Sequence, residues 1–112
     1  MSEEIKKRLR FENVSFKAND NISDYIDEND INVIRENVNT AMLGVLDALV
    51  IDYENDHNTQ DTAKRVAKMY VDEIFKGRYY PMPKITDFPN AKKLDQIYTI
   101  GPITIRSACS HH

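Results

Sequence analysis

Apolar residues recur at spacings of three and four through the middle of the chain. Ile34, Val38, Ala41, Met42, Val45, Leu46 and Leu49 fall on one side of a helix with 3.6 residues per turn. This pattern predicts an amphipathic helix of about five turns within residues 31–53, opened by Asp30 as its N-cap. A polar break, ENDHN, separates it from QDTAKRVAKMYVDEIFKG, which reads as a second helix. Ala63, Val66, Ala67, Tyr70, Ile74 and Phe75 form the inner stripe of that helix, and Arg65, Lys68, Asp72 and Lys76 share the opposite face. Asp61 or Thr62 is placed to cap its start, and Gly77 to end it in a left-handed conformation. Two helices joined by a short polar link pack antiparallel most simply.

The periodicity then changes. RYYPMPKITDFPNAKK is broken by prolines and should be extended and irregular. LDQIYTI and ITIRSACS, separated by Gly101 and Pro102, are rich in β-branched residues and read as strands. In the second strand Ile103, Ile105, Ser107 and Cys109 share one face, with Thr104, Arg106, Ala108 and Ser110 on the other. The expected fold class is therefore α+β: an acidic arm or short helix and linker over residues 1–30, a helical pair over 31–77, and the first strands of a further, β-rich domain over 78–112. Two strands make no stable sheet, so that domain is incomplete without further strands.

Composition narrows the class. With 112 residues the chain suffices for one small domain, and its single cysteine, Cys109, excludes an internal disulfide and suits a reducing cytoplasm. The amino terminus lacks the apolar core of a signal peptide, and VLDALVI is too short to span a membrane. Net charge is −3, but residues 1–58 carry 6 Lys/Arg against 13 Asp/Glu, whereas residues 59–112 carry 9 against 5. The basic half suits an anionic ligand such as a phosphate ester, or is simply a solvated helix face. Arg65 and Lys68, with Lys64 beside them, could hold a polyphosphate: arginine as a planar fork and lysine as a point charge. No glycine-rich phosphate loop and no basic patch interleaved with aromatics for nucleic acid is present.

Cys109 and His112 stand in a C-x-x-H relation, and thiolate with imidazole is a favoured pair for Zn²⁺. Residues three apart point to opposite faces of a strand, so joint ligation requires the backbone to turn at Ser110 and His111. His111 would then be free to move protons near neutral pH. Spacing alone leaves two other readings open, a core cysteine beside surface histidines and the remnant of a histidine tag.

Taken together, DTAKRVAKMYVDEIFKGRYYPMPKIT and the later ITIRSACSHH resemble the amino-terminal half of GTP cyclohydrolase I. The resemblance spans about residues 31–112 and rests on two separated motifs. It implies a zinc enzyme of the tunnelling fold, a homodecamer with an antiparallel sheet. Such an enzyme opens the imidazole ring of GTP to give formate and 7,8-dihydroneopterin triphosphate, at the entry to pterin, folate or deazaguanine pathways. It further implies Cys109 and His112 as zinc ligands, His111 as the catalytic proton donor and acceptor, and Arg65 and Lys68 as contacts to the triphosphate.

Three departures accompany the resemblance. Ala63 stands where the family usually has proline, Ser110 replaces a glutamate, and Gly101 and Pro102 replace a charged pair. In the family the chain continues for about as long again and brings the third zinc ligand. Residues 1–112 alone are therefore expected to be inactive. The competing expectation is a non-catalytic interaction module or partial zinc-binding domain that associates with a full-length cyclohydrolase. Neither nucleic acid nor a membrane is expected as a partner.

Overall fold

The structure, a computed structural model, describes residues 2–82. Helix α1 spans Glu3–Phe11, α2 Glu28–Ala48, α3 Thr62–Met69 and α4 Lys76–Tyr79; a 3₁₀ turn, Ser23–Tyr25, precedes α2, and a π-helical turn, Tyr70–Ile74, joins α3 to α4. The described residues contain no strand, which corrects the α+β expectation: this part of the molecule is helical, and a tunnelling-fold sheet is not seen in it. The physical reason lies in the pattern. Through residues 2–82 the buried side chains recur at helical intervals, as in Ile5 and Leu9, Ile31 and Ile34, or Ala63, Ala67 and Val71, with no alternating run. The expected strands LDQIYTI and ITIRSACS lie outside the described residues.

Helix α1 has Glu3 and Glu4 in its first turn and Arg8 and Arg10 in its last, each sign facing the favourable end of the helix dipole. Its buried residues Ile5 and Leu9 join Ile22, Ile31, Ile34 and Val71 in one hydrophobic cluster. Each such side chain contributes roughly 1.5–3 kcal/mol by leaving water. Arg8 fastens α1 to the start of α2, its Nη1 donating to Asp30 Oδ2 at 2.6 Å and to the Tyr25 carbonyl at 2.9 Å.

Helix α2 starts earlier than Asp30. Asp27 is the N-cap, its Oδ1 accepting from the Asp30 amide at 2.8 Å, while Asp30 Oδ2 accepts from the Asp27 amide at 3.1 Å. The two aspartates form a capping box, so Asp30 lies one turn inside the helix. At the other end the Val50 amide donates to Asp47 O at 2.9 Å and the Ile51 amide to Leu46 O at 3.1 Å. These are the paired bonds of a Schellman cap, and Val50 occupies its left-handed position with φ of 63°.

The second expected helix is interrupted. After Met69 the backbone widens into the π turn, closed by the Phe75 amide donating to Tyr70 O at 2.8 Å. The turn closes over one residue more than an α turn. The buried line runs Ala63, Ala67, Val71 at intervals of four, while Tyr70 of the expected stripe is exposed. Gly77 lies within α4 and has no positive φ, so it is not a left-handed cap. Asp61 precedes α3 without a side-chain capping bond. Val45 and Leu49, expected inside, are exposed. The 8 residues of α3 cannot cover the whole of the 21-residue α2.

The end of the helical unit is tied back to its beginning. Arg78 donates to the carbonyls of Phe16 at 2.8 Å and Asp20 at 3.0 Å, and also to that of Lys17. Asn21 Nδ2 donates to the Gly77 and Tyr80 carbonyls, both at 2.8 Å. These bonds fix α4 against the 16–23 loop.

Candidate functional site

A groove of about 480 Å³ lies between α2 and α3. Arg35, Glu36 and Asn39 line it from α2, Lys64, Ala67 and Lys68 from α3, and Asp72 from the π turn. Ala67 is buried and carries only a methyl group, so it leaves space between the helices.

Arg35 spans the end of this groove. Its Nη2 donates to Asp72 Oδ1 at 2.6 Å, its Nε to the same carboxylate at 3.1 and 3.2 Å, its Nη2 also to the Tyr80 hydroxyl at 3.0 Å, and its Nη1 to Asn32 Oδ1 at 2.7 Å. The hydrogen bond to Asp72 holds the Arg35 guanidinium above its ordinary pKa, against the opposing effect of partial burial. Because Arg35 lies in the second turn of α2 and Asp72 beyond the end of α3, the two helices run in opposite directions. The forked contact also ties the π turn to α2.

The sequence-derived site residues divide into three groups. Lys68 lines the groove; Arg65 is exposed on the same helix but is not part of the groove wall. Cys109, His111 and His112 lie outside the described residues. Among the described residues no group of three His, Cys, Asp or Glu side chains could hold a metal, and His57 is exposed in the link between α2 and α3. The pattern of positions missed the roles of Arg35 and Asp72. Asp72 was grouped with the solvent face, and nothing local in the sequence points to a partner 37 positions away. The one available signal was the arginine on a helix whose neighbouring helix carries an unmatched aspartate.

Comparison with known proteins gives a consistent result. The chain is 41% identical over 86 residues to a protein named GTP cyclohydrolase 1 from Yersinia enterocolitica, a match covering 76% of this chain and 39% of that protein. The same-named protein of Yersinia pestis matches at 41% over 86 residues. That of Actinobacillus pleuropneumoniae matches at 40% over 79 residues, which is 70% of this chain and 36% of its own. Over this stretch the chain is homologous to GTP cyclohydrolase 1. It matches the N-terminal portion of these cyclohydrolases and spans about two fifths of their length. No family model matches the chain. No solved structure matches it either.

Among the described residues no helix is long and apolar enough to cross a membrane. Five of the groove's lining residues are charged: Arg35, Glu36, Lys64, Lys68 and Asp72.

Proposed function

We propose that this chain contributes part of the active site of a GTP cyclohydrolase I, in which the imidazole ring of GTP is opened hydrolytically to formate and 7,8-dihydroneopterin triphosphate. The single observation that carries this reading is the 41% identity to proteins of that name over 76% of the chain. The C-x-x-H pair and the R-V-A-K run fall where the resemblance assigns chemistry.

In this reading Cys109 and His112 hold Zn²⁺. The donor set, one thiol and one imidazole, suits that ion but is one donor short of the three protein ligands of a catalytic zinc site. The 112 residues by themselves are therefore inactive in this reading. The chemistry that bound zinc supplies is a lowered pKa for water at neutral pH. His111 gives a proton to nitrogen 7 of the purine and later takes one back, since an imidazole titrates close to neutrality. Protonation there makes carbon 8 a better electrophile. Arg65 and Lys68 neutralise charge on the triphosphate and so hold the ring in register with His111. Ser110 cannot supply the carboxylate usual at its position, so it leaves the adjacent histidines without that negative neighbour.

The enzyme is read as a cytoplasmic homodecamer, supported by the resemblance and by a lone cysteine that stays reduced there. Equilibrium zinc titration of the chain tests the metal assignment. Weak zinc binding that disappears in Cys109→Ala supports it, and binding unaffected by that substitution contradicts it.

A further inference from the structure

We infer that Lys64 is a further phosphate-binding cation beside Arg65 and Lys68, acting with Lys68 from the α2–α3 groove on a polyphosphate chain. This inference rests on the proposed cyclohydrolase reading for its ligand, and on the groove for its geometry.

Lys64 and Lys68 are one helical turn apart on α3, roughly 40° apart around the helix axis, and both line the same groove. Arg65, which adjoins Lys64 in sequence, is not in the groove wall. Between the two lysines and the opposing helix sits Ala67, whose small side chain leaves room for a ligand to reach both head groups. The volume of about 480 Å³ exceeds what a single phosphate requires.

Charge within the groove points to the same pair. Arg35 is committed to Asp72, Asn32 and the Tyr80 hydroxyl, and its charge is matched by that of Asp72. Among the described residues neither Lys64 nor Lys68 takes part in an ion pair. What remains is two ammonium groups against one carboxylate, Glu36, which gives the open part of the groove a positive excess. Two lysines a turn apart repel each other on an isolated helix, and a bound polyanion offsets that repulsion by attracting both. Glu36 opposes the ligand, so its removal strengthens binding.

The test is the dissociation constant of inorganic tripolyphosphate with the full 112-residue chain at fixed ionic strength, followed by amide chemical shifts, with GTP as a second ligand. Circular dichroism verifies that each variant keeps its helix content. Lys64→Gln and Lys68→Gln are each expected to weaken tripolyphosphate about fivefold, the scale of one partly solvated charge. Lys64→Arg should restore binding, and Glu36→Gln should tighten it, neither of which follows from a merely structural role. If Lys68→Gln weakens binding and Lys64→Gln does not, the inference on Lys64 is overturned and the cyclohydrolase reading stands. If neither variant alters tripolyphosphate binding, or the chain binds none, the groove is not a phosphate site and the inference is likewise overturned. Failure of the reading itself shows separately, in the zinc titration: zinc binding unaffected by Cys109→Ala contradicts the cyclohydrolase assignment whatever tripolyphosphate does.

Discussion

Arg35 of α2 grips Asp72 of the π turn through a two-nitrogen contact whose shortest distance is 2.6 Å. The side chains are 27% and 25% exposed, so the pair is shielded enough to carry energy and exposed enough to avoid the full cost of burying charge. It connects the second turn of one helix to the irregular exit of the other, and Tyr80 leans on the same guanidinium. We expect Arg35→Met and Asp72→Leu each to cost about 1.5–3 kcal/mol in urea unfolding, as for hydrogen bonds to charged groups. The double variant should cost clearly less than the two together. Strict additivity would mean that the pair does not hold the π turn.

Val50 is the least comfortable residue of the described chain. A β-branched residue with φ of 63° occupies a cap position that glycine fills without strain. Its side chain is almost wholly exposed, so packing does not compensate. Val50→Gly is expected to stabilise the protein by about 1 kcal/mol, a rise of several degrees in Tm. An unchanged or lower Tm would show that the valine side chain is covered in the working protein.

Much of this architecture is legible in the sequence, and the failures have physical causes. The stripe through Ile34, Val38 and Leu46 marks α2 because a long run sums many weak signals. Its start is three residues early because Asp27 and Asp30 are both good caps and each bonds the other. Val71 is buried and Tyr70 is not because Val71 continues the line of Ala63 and Ala67 at intervals of four, whereas the expected stripe stepped by three from Ala67 to Tyr70. The cationic face of α3 is legible in the R-V-A-K run; that Lys64 shares the groove with Lys68 and Arg65 does not depends on where α2 lies. Cys109, His111 and His112 were legible as a motif, and they lie outside the described residues.

The first helix is part of the core. Leu9 is 2% exposed and packs in the cluster that also holds Val71, more than sixty residues later. Leu9→Ala should cost about 2–5 kcal/mol, the range for emptying a buried leucine site. A detached arm would lose almost nothing, and a cost under ~0.5 kcal/mol would place α1 off the body.

Acid should loosen the junction between α1 and α2. The Asp30 carboxyl is held below the usual carboxylate range, chiefly by the hydrogen bond from Arg8, with desolvation opposing. Asp20 is lowered too, first by the Ser15 hydroxyl and then by the Lys17 amide. A carboxyl whose folded pKa is depressed contributes its full stability above the unfolded value near ~3.9, and loses it as pH falls through the folded value. Unfolding free energy should therefore be level with respect to these groups from neutral pH to about 5 and fall below about 4. Asp30→Asn should flatten that fall; an identical acid profile in the variant would show that the Arg8 contact is not formed in solution.

In the proposed function this segment carries cyclohydrolase chemistry through Cys109, His111 and His112. Its most direct test is a chimera in which the chain replaces the matching stretch of Yersinia enterocolitica GTP cyclohydrolase 1, with formate release from GTP and bound zinc measured together. Zinc-dependent formate release is expected. Cys109→Ala should lose both metal and activity, and His111→Ala should lose activity while keeping the metal. A folded chimera that releases no formate, or a Cys109→Ala variant that retains zinc and full activity, would contradict it.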